Sequence, residues 1–185
     1  MDRSIASTRL DLVPLSQEMH RAMLDGNYRQ ADALLGAHGL DELHLPRRVL
    51  QLRLDQLIES PRLEELLLRA IVVREINEVV GNIGFHAAPD ASYLLEQGLE
   101  GLEFGYTIIE EERRKGYAKE AACALMQWAI REYGVTMFVL SIGPDNGPSN
   151  GLALSMGFSK HSVYVHPERG SEQIYTRTDS GVNLD

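Results

Sequence analysis

The sequence predicts a mixed α/β (α+β) domain, in which helices flank a central, mostly antiparallel sheet of seven strands. Helical periodicity characterises the first third of the chain, whereas short β-branched runs bounded by turn residues follow from position 66 onward. Among those runs lies one strand–helix–strand unit, over 102–142, which makes the sheet mixed. These observations together predict the fold class.

Chain length and composition predict one globular domain. A chain of 185 residues can build one sizeable core but not two ordinary domains, so a single domain over 1–185 is expected. We expect its core at 66–178 and a helical segment on the substrate side at 15–62. No run approaches the roughly 18 apolar residues of a membrane span, and no apolar signal core follows the N-terminus, so the cytoplasm is the expected location.

The net charge and the cysteine content limit the kinds of partner, disulfide and metal site that are expected. The net charge of −9 disfavours nucleic acid, because phosphate neutralisation needs a basic surface, and it is compatible with a cationic amine substrate. The single cysteine, Cys123, excludes an intrachain disulfide framework and a multi-cysteine zinc site. No metal is therefore expected.

The first third is predicted to contain one strand and three helices. These elements are a strand over 10–14 and helices over 17–25, 28–35 and 46–60. Ser16 suits the N-cap of the first helix, and Pro46 suits the start of the third. Ser60 and Pro61 end that third helix.

Strands dominate the rest of the predicted fold. The expected order is a hairpin of strands 66–74 and 79–85, a loop 87–101, a strand 102–109, a helix 116–133, a strand 137–142, a helix 148–156, and a closing pair 159–166 and 173–178. Gly134 and Gly157 are expected to end the two helices, because glycine accepts the left-handed conformation at a helix C-terminus.

The loop that precedes the long helix has the features of a diphosphate site. The first amides of a helix have no intrahelical acceptor, and the helix dipole is positive there, so an anion is the natural ligand. Gly116 and Ala118 leave the backbone accessible, and Arg113, Arg114 and Lys115 add positive charge. No GxxxxGK[ST] pattern is present, which disfavours a nucleotide triphosphatase. A solvated charge run before an ordinary helix is the alternative.

Four short motifs resemble the GNAT superfamily of N-acetyltransferases. The pattern Arg113-x-x-Gly116-x-Ala118 is similar to the acetyl-CoA signature [Q/R]-x-x-G-x-[G/A] of that family. The other three motifs are the tetrapeptide Glu-Phe-Gly-Tyr at 103–106, Asn-x-x-Ser at 146–149 and Met-Gly-Phe at 156–158. The resemblance covers 66–178 well and is nearest to the Rim-type ribosomal-protein N-terminal acetyltransferases.

The resemblance implies a GNAT-like sheet that splays between its fourth and fifth strands, with acetyl-CoA as co-substrate in the opening. Backbone groups of strand four would bind the pantetheine arm in the manner of an added strand, and the Ile108 amide would face the thioester carbonyl. The cofactor-binding residues implied are Tyr106, Thr107, Ile108, Arg113, Arg114, Lys115, Gly116, Tyr117, Ala118, Asn146 and Ser149.

Acid–base roles fall to a small set of side chains. Glu103 is the expected base, acting through a water, and His86 at the end of the preceding strand is the alternative. Many family members carry a tyrosine acid seven residues after the motif asparagine, where this chain has Ala153. Ser149 stands where the Rim-type branch has its serine, and this resemblance implies that it assists the departing thiolate. Helix capping is its alternative role.

The sequence thus predicts direct acetyl transfer to a primary amine, with an α-amine of a peptide, a protein N-terminus or a small metabolite expected. A non-catalytic acyl-CoA-binding regulator and an acetyltransferase for aminoglycosides or polyamines are the alternatives. No nucleic acid or membrane partner is expected. Monomer and homodimer stay open, as do other acyl groups.

Overall fold

A computed structural model of the chain describes residues 3–86, 99–166 and 170–179. The chain divides into two compact units, of which the first comprises Met1–Phe85 with Tyr106–Leu125, and the second His86–Gly105 with Met126–Asp185. One strand and one long helix contribute residues to both units, so each unit is described by itself below. Within the described residues, no helix combines the length and the apolar character needed to cross a lipid bilayer.

The first unit contains a four-stranded antiparallel arrangement and three helices. Its elements are β1 (Ile5–Ala6), β2 (Leu10–Pro14), α1 (Gln17–Leu24), α2 (Tyr28–Leu35), α3 (Arg47–Glu59), β3 (Leu68–Val73) and β4 (Glu78–Phe85). The strands lie in the order β1-β2-β3-β4, and each pairs antiparallel with its neighbour. Strands β3 and β4 are apolar almost throughout and are buried on both faces, apart from Glu78 at the start of β4.

Capping side chains fix where the first helices begin. The Ser16 hydroxyl accepts a hydrogen bond from the Met19 amide at the start of α1, and the Asn27 side chain accepts one from the Gln30 amide at the start of α2. Gly36 ends α2 in the left-handed conformation, with φ of 79°. Helix α3 buries Leu50, Leu54 and Leu57 at the spacing of one helical face.

The second unit pairs its strands in the order β5-β6-β8-β7. Its elements are β5 (Leu102–Ile108, the first four residues), β6 (Met137–Ile142), α5 (Gly147–Ser155), β7 (Ser159–His166) and β8 (Gly170–Thr178); the long helix α4 (Tyr117–Tyr133) ends in this unit. Strands β6 and β7 both pair antiparallel with β8. The Phe104 ring packs edge-on against the rings of Phe138 and Phe158, at centroid distances of 6.4 and 6.2 Å.

The parallel pairing of β5 with β6 is short. It joins Leu102 to Phe138 and Glu103 to Val139, and it ends there although both strands continue. Backbone groups beyond Glu103 therefore do not belong to this ladder. The family resemblance implied a splay at this position. The strands that the family numbers four and five are β5 and β6 here.

The prediction of a mixed, mostly antiparallel sheet flanked by helices is confirmed, but the count of seven strands is wrong. The described residues contain eight strands, and the additional one is β1, whose two residues are too few for any periodicity. Short 3₁₀ turns at Asp41–Leu43, Pro61–Glu65 and Glu110–Glu112 were also not predicted. The predicted loop 87–101 lies outside the described residues except for its last three.

Candidate functional site

The loop between β5 and α4 turns sharply into the helix. Arg114 and Gly116 both have left-handed backbone, with φ of 63° and 86°. Within the described residues, the amides of Gly116, Tyr117 and Ala118 have no hydrogen-bond acceptor, whereas the Glu120 amide donates to the Gly116 carbonyl at 3.2 Å. Three neighbouring donors at a helix N-terminus form the local arrangement that binds phosphate oxygens.

The three basic residues of this loop have different partners. The Nε of Arg113 donates to the Ile108 carbonyl at 3.1 Å, so this guanidinium ties the loop back to β5. The Lys115 ammonium contacts the Glu112 carboxylate at 2.8 Å, and this hydrogen bond raises the pKa of the lysine. Arg114 is exposed and makes no ion pair within the described part of the chain. Arg114 is therefore the cation available to an incoming anion.

A network that sequence reasoning missed holds the loop from the other side. The Glu120 carboxylate, in the first turn of α4, accepts hydrogen bonds from the Arg9 backbone amide at 2.7 Å, from the Arg9 Nε at 2.7 Å and from the Ser7 hydroxyl at 2.8 Å. Burial raises the pKa of Glu120, but these hydrogen bonds outweigh it and the pKa is lowered overall. More than 100 positions separate Glu120 from its partners, so no local sequence pattern could have indicated the network.

Arg9 also contacts the loop directly. Its Nη1 donates to the Lys115 carbonyl at 3.0 Å, and its guanidinium carbon lies 4.8 Å from the centre of the Tyr117 ring. A Cβ atom added to Gly116 would lie 3.2 Å from the Arg9 Nη2. Glycine at 116 thus suits both its positive φ and the close approach of this guanidinium.

The end of β5 is fixed by its contact with β4. A Cβ atom on Gly81 would lie 2.3 Å from the Thr107 carbonyl oxygen, so the two backbones approach more closely than any side chain permits. The Ile109 amide donates to the Val80 carbonyl at 3.0 Å. These contacts hold the predicted pantetheine-binding backbone, Tyr106 to Ile108, in a defined position.

Glu103 and His86, which the sequence offered as alternative bases, lie in contact in the second unit. The His86 Nδ1 is 3.2 Å from the Glu103 Oε2, and the His86 amide donates to the Glu103 carbonyl at 2.9 Å. The Glu103 side chain is only 3% exposed, whereas that of His86 is 36% exposed. The pair therefore combines a buried carboxylate with a partly exposed imidazole.

Helix α5 presents Ser149 in its first turn. The Asn146 side chain caps the helix by accepting a hydrogen bond from the Ser149 amide at 3.2 Å. The Ser149 hydroxyl is half-buried and makes no hydrogen bond within the described residues. Asn150 fixes the preceding loop by donating to the Gly143 and Asn146 carbonyls, and the buried Tyr175 hydroxyl donates to Asn150 at 2.8 Å.

Position 153, where many family members carry a tyrosine acid, lies in the core and leaves no room for a tyrosine. Ala153 is fully buried in α5, and its carbonyl accepts the Phe158 amide at 3.1 Å. A larger side chain there would have to displace core atoms. Asn146 caps this helix through its side-chain oxygen, while Ser149 keeps its hydroxyl for other partners.

The predicted site residues are distributed over both units. The loop 113–118 and the backbone of Tyr106 to Ile108 belong to the first unit, whereas Glu103, Asn146 and Ser149 belong to the second. Strand β5 carries members of both groups on one continuous segment. The described residues contain no cluster of three or more His, Cys, Asp or Glu arranged to hold a metal ion.

Comparison with known proteins decides the family. A model of the GNAT acetyltransferase domain matches residues 9–159, which is most of the chain. The chain belongs to the GNAT acetyltransferase family. The matched range includes the loop 113–118, the His86–Glu103 pair and Ser149.

Individual GNAT relatives support the same fold. The uncharacterized N-acetyltransferase YoaA of Bacillus subtilis is 36% identical over 90 residues, which are 49% of this chain and 47% of that protein. A Bordetella pertussis protein named for the GNAT acetyltransferase family superposes with a TM-score of 0.69 at 20% identity, over 95% of this chain and 99% of its own. The RimL ribosomal L7/L12 α-N-protein acetyltransferase in complex with coenzyme A gives 0.63 at 18% identity, over 95% and 97%. The chain matches about half the length of the curated relatives.

Proposed function

We propose that this protein transfers the acetyl group of acetyl-CoA to a primary amine, and that the acceptor is the α-amine of a peptide, a protein N-terminus or a small metabolite. The observation that carries the proposal is the loop at the start of α4. It offers three unbonded amides, at Gly116 to Ala118, beside the unpaired guanidinium of Arg114 within the described residues. Membership of the GNAT family makes the diphosphate of coenzyme A the anion that this loop would bind.

The remaining coenzyme contacts are assigned by chemistry. Backbone groups of Tyr106 and Ile108 would pair with the amides of the pantetheine arm, because the ladder from β5 to β6 ends at Glu103. The Ile108 amide would stabilise the oxyanion formed on the thioester carbonyl. The side-chain oxygen of Asn146 accepts the hydrogen bond of the helix cap, so its amide nitrogen is the group that could bind the pantetheine.

The reaction is proposed as a direct attack in a ternary complex. The acceptor nitrogen forms the new N–C bond while the C–S bond breaks. Glu103 takes part in removing the proton from the amine. Ser149 would donate a hydrogen bond to the departing sulfur. A thiol has a reference pKa near 8.5, so its thiolate is a good leaving group and a hydroxyl donor suffices in place of a tyrosine acid.

The choice of an α-amine rests on the cost of deprotonation. Reference pKa values are about 7.7 to 8.0 for an α-amine and about 10.4 for a lysine side chain, so an α-amine is easier to deprotonate by roughly 3 kcal/mol. The site residues include no strong base that would offset this cost. The resemblance to Rim-type enzymes agrees with the choice, and RimL is itself named as an α-N-protein acetyltransferase.

Release of the free coenzyme A thiol tests the proposal directly. Four acceptors are compared at equal concentration: a lysine-free peptide with a free N-terminus, the same peptide N-blocked and carrying one lysine, spermidine, and kanamycin. We expect thiol release above the no-acceptor background with the first acceptor. Turnover of only the lysine peptide, spermidine or kanamycin would contradict the α-amine assignment. Binding of acetyl-CoA without turnover of any amine would instead indicate a regulatory protein.

A further inference from the structure

Arg9, in the turn between β1 and β2, contacts the loop 113–118 and still has hydrogen-bond donors without an acceptor. A guanidinium has five N–H donors. The Arg9 Nε donates to the Glu120 carboxylate at 2.7 Å, and the Nη1 donates to the Lys115 carbonyl at 3.0 Å. Within the described residues, neither N–H of the Nη2 has an acceptor. Both N–H groups of the Nη2 are therefore available to a ligand.

The Nη2 of Arg9 lies on the bare face of Gly116. A Cβ atom added to Gly116 would be 3.2 Å from this nitrogen. The backbone amides from Gly116 to Ala118 have no acceptor in the part of the chain that the structure describes, so the same segment holds unbonded donors. Arg9 and this segment both belong to the first unit. An anion bound to these amides would therefore meet a guanidinium from a distant part of the sequence.

Several contacts hold the Arg9 guanidinium in one orientation. The Arg9 backbone amide donates to the Glu120 carboxylate at 2.7 Å, and the Arg9 carbonyl accepts a hydrogen bond from the Arg74 amide at 3.0 Å. The guanidinium carbon lies 4.8 Å from the centre of the Tyr117 ring. A side chain that is already held in place loses little conformational entropy when a ligand binds. This arrangement thus favours anion binding more than a mobile surface charge would.

Resting on the proposed function, we propose that Arg9 binds the diphosphate of acetyl-CoA, and that its Nη2 donates to a phosphoryl oxygen beside Gly116. Arginine suits this role because its planar fork can hold a carboxylate and a phosphate at the same time. The ammonium of Lys115, by contrast, is paired with Glu112. Arg9 would join Arg114 as the second cation of the site.

Calorimetric titration of acetyl-CoA into Arg9→Gln and Glu120→Gln, at low and at high salt, tests this contact. Both variants weaken the support of the loop, but only Arg9→Gln removes a guanidinium. We expect affinity to fall about 30 to 100-fold in Arg9→Gln and about 3 to 10-fold in Glu120→Gln, because the first also loses a charge-assisted hydrogen bond to the ligand. Arg9→Gln should roughly halve the salt dependence of binding, whereas Glu120→Gln should retain it.

Arg74→Gln is the matched control, because Arg74 also holds the turn between β1 and β2. Its side chain is 47% exposed and pairs with Asp11, and that of Arg9 is 46% exposed and pairs with Glu120. The Arg74 guanidinium donates to carbonyls of this turn and has no contact with the loop 113–118 among the described residues. Its replacement should change acetyl-CoA affinity by less than about 3-fold.

Acetyl-3′-dephospho-CoA, which keeps the diphosphate, identifies the phosphate that Arg9 contacts. Arg9→Gln should lose affinity for it by the same factor as for acetyl-CoA, and an effect confined to acetyl-CoA would overturn the diphosphate assignment. Arg9→Lys keeps the charge if Arg9→Gln folds poorly, and it should retain the salt dependence with a smaller loss of affinity.

The proposal is overturned if folded Arg9→Gln keeps the salt dependence of the wild type, or if it binds acetyl-CoA as tightly as Glu120→Gln does. Either result would mean that Arg9 only supports the loop. Failure of the wild type to bind acetyl-CoA would refute the proposed function instead, so the two failures are distinguishable.

Discussion

Replacement of Glu120 by glutamine tests whether the β1–β2 turn supports the coenzyme loop. The carboxylate accepts three hydrogen bonds from Ser7 and Arg9, and its side chain is 17% exposed. Glutamine offers one oxygen in place of two, and its amide group would face the donor Nε of Arg9. The variant therefore loses a charge-assisted hydrogen bond and gains an unfavourable contact between two donors.

The expected cost follows from these contacts. A hydrogen bond to a charged group contributes about 1.5 to 3 kcal/mol, and partial exposure places this one near the lower end. We expect a loss of about 2 kcal/mol of unfolding free energy, which for a chain of this size lowers Tm by roughly 4 to 8 °C. Because Arg9 also holds the Lys115 carbonyl, acetyl-CoA affinity should fall about 3 to 10-fold.

Thermal unfolding of Glu120→Gln and Glu111→Gln, followed by circular dichroism, measures this cost. Glu111 is exposed and carries the same charge in the turn that precedes α4, so its variant should shift Tm by less than about 1 °C. The pKa of Glu120 is lowered in the folded protein, so its contribution is present above the ordinary pKa of a glutamate, about 4.3. It is lost as pH falls through the folded value, and the Tm values of the wild type and Glu120→Gln should converge once the pH lies below that value. Equal Tm values at pH 7 would refute the reasoning.

Three further predictions concern the coenzyme, the leaving group and the strand contact. Arg114→Gln should weaken acetyl-CoA binding about 5 to 10-fold at low salt and less at high salt, measured by calorimetry; an effect independent of salt would contradict a direct phosphate contact. Ser149→Ala should lower kcat about 10 to 100-fold in steady-state assays with little change in KM for acetyl-CoA, and a loss confined to KM would mean that it only positions the donor. Gly81→Ala should cost about 2 to 3 kcal/mol in urea unfolding, because its Cβ would meet the Thr107 carbonyl, whereas Gly143→Ala meets nothing within 4 Å and should be nearly neutral.

Local signals explain why much of the fold could be predicted. The cap residue Ser16 acts within three positions of its partner Met19, and the β-branched runs of β3 and β6 are long enough for their pattern to emerge. Strand β1 escaped prediction because two residues carry no period. Its pairing with β2 supplies a contact that the local sequence does not encode.

The candidate site was predictable only where its residues are adjacent in sequence. The loop 113–118 is a local motif, and its position at the start of α4 followed from the helical pattern after it. The roles within the loop were not predictable, because Arg113 uses its Nε on Ile108 and Lys115 is paired with Glu112. Side-chain hydrogen bonds to residues three to five positions away, which the motif does not specify, decide these roles.

The same limit applies to the acid–base pair. His86 and Glu103 are separated by 17 positions, and each could be singled out by residue type and strand position alone. Their contact lies within the second unit, and the missing side chain at Gly105 leaves room there for the imidazole. Sequence reasoning therefore weighed them as alternatives, whereas the geometry makes them partners.

We propose that the loop at the start of α4 binds the diphosphate of acetyl-CoA for transfer. Calorimetric titration of acetyl-CoA into Gly116→Glu tests it most directly, with Gly26→Glu as the matched control. Both glycines have positive φ, 86° and 72°, and nothing lies within 4 Å of a Cβ at Gly26. We predict that Gly26→Glu binds acetyl-CoA as the wild type does, while folded Gly116→Glu loses at least about 30-fold in affinity and loses amine-dependent thiol release. Unchanged affinity in folded Gly116→Glu would contradict the assignment.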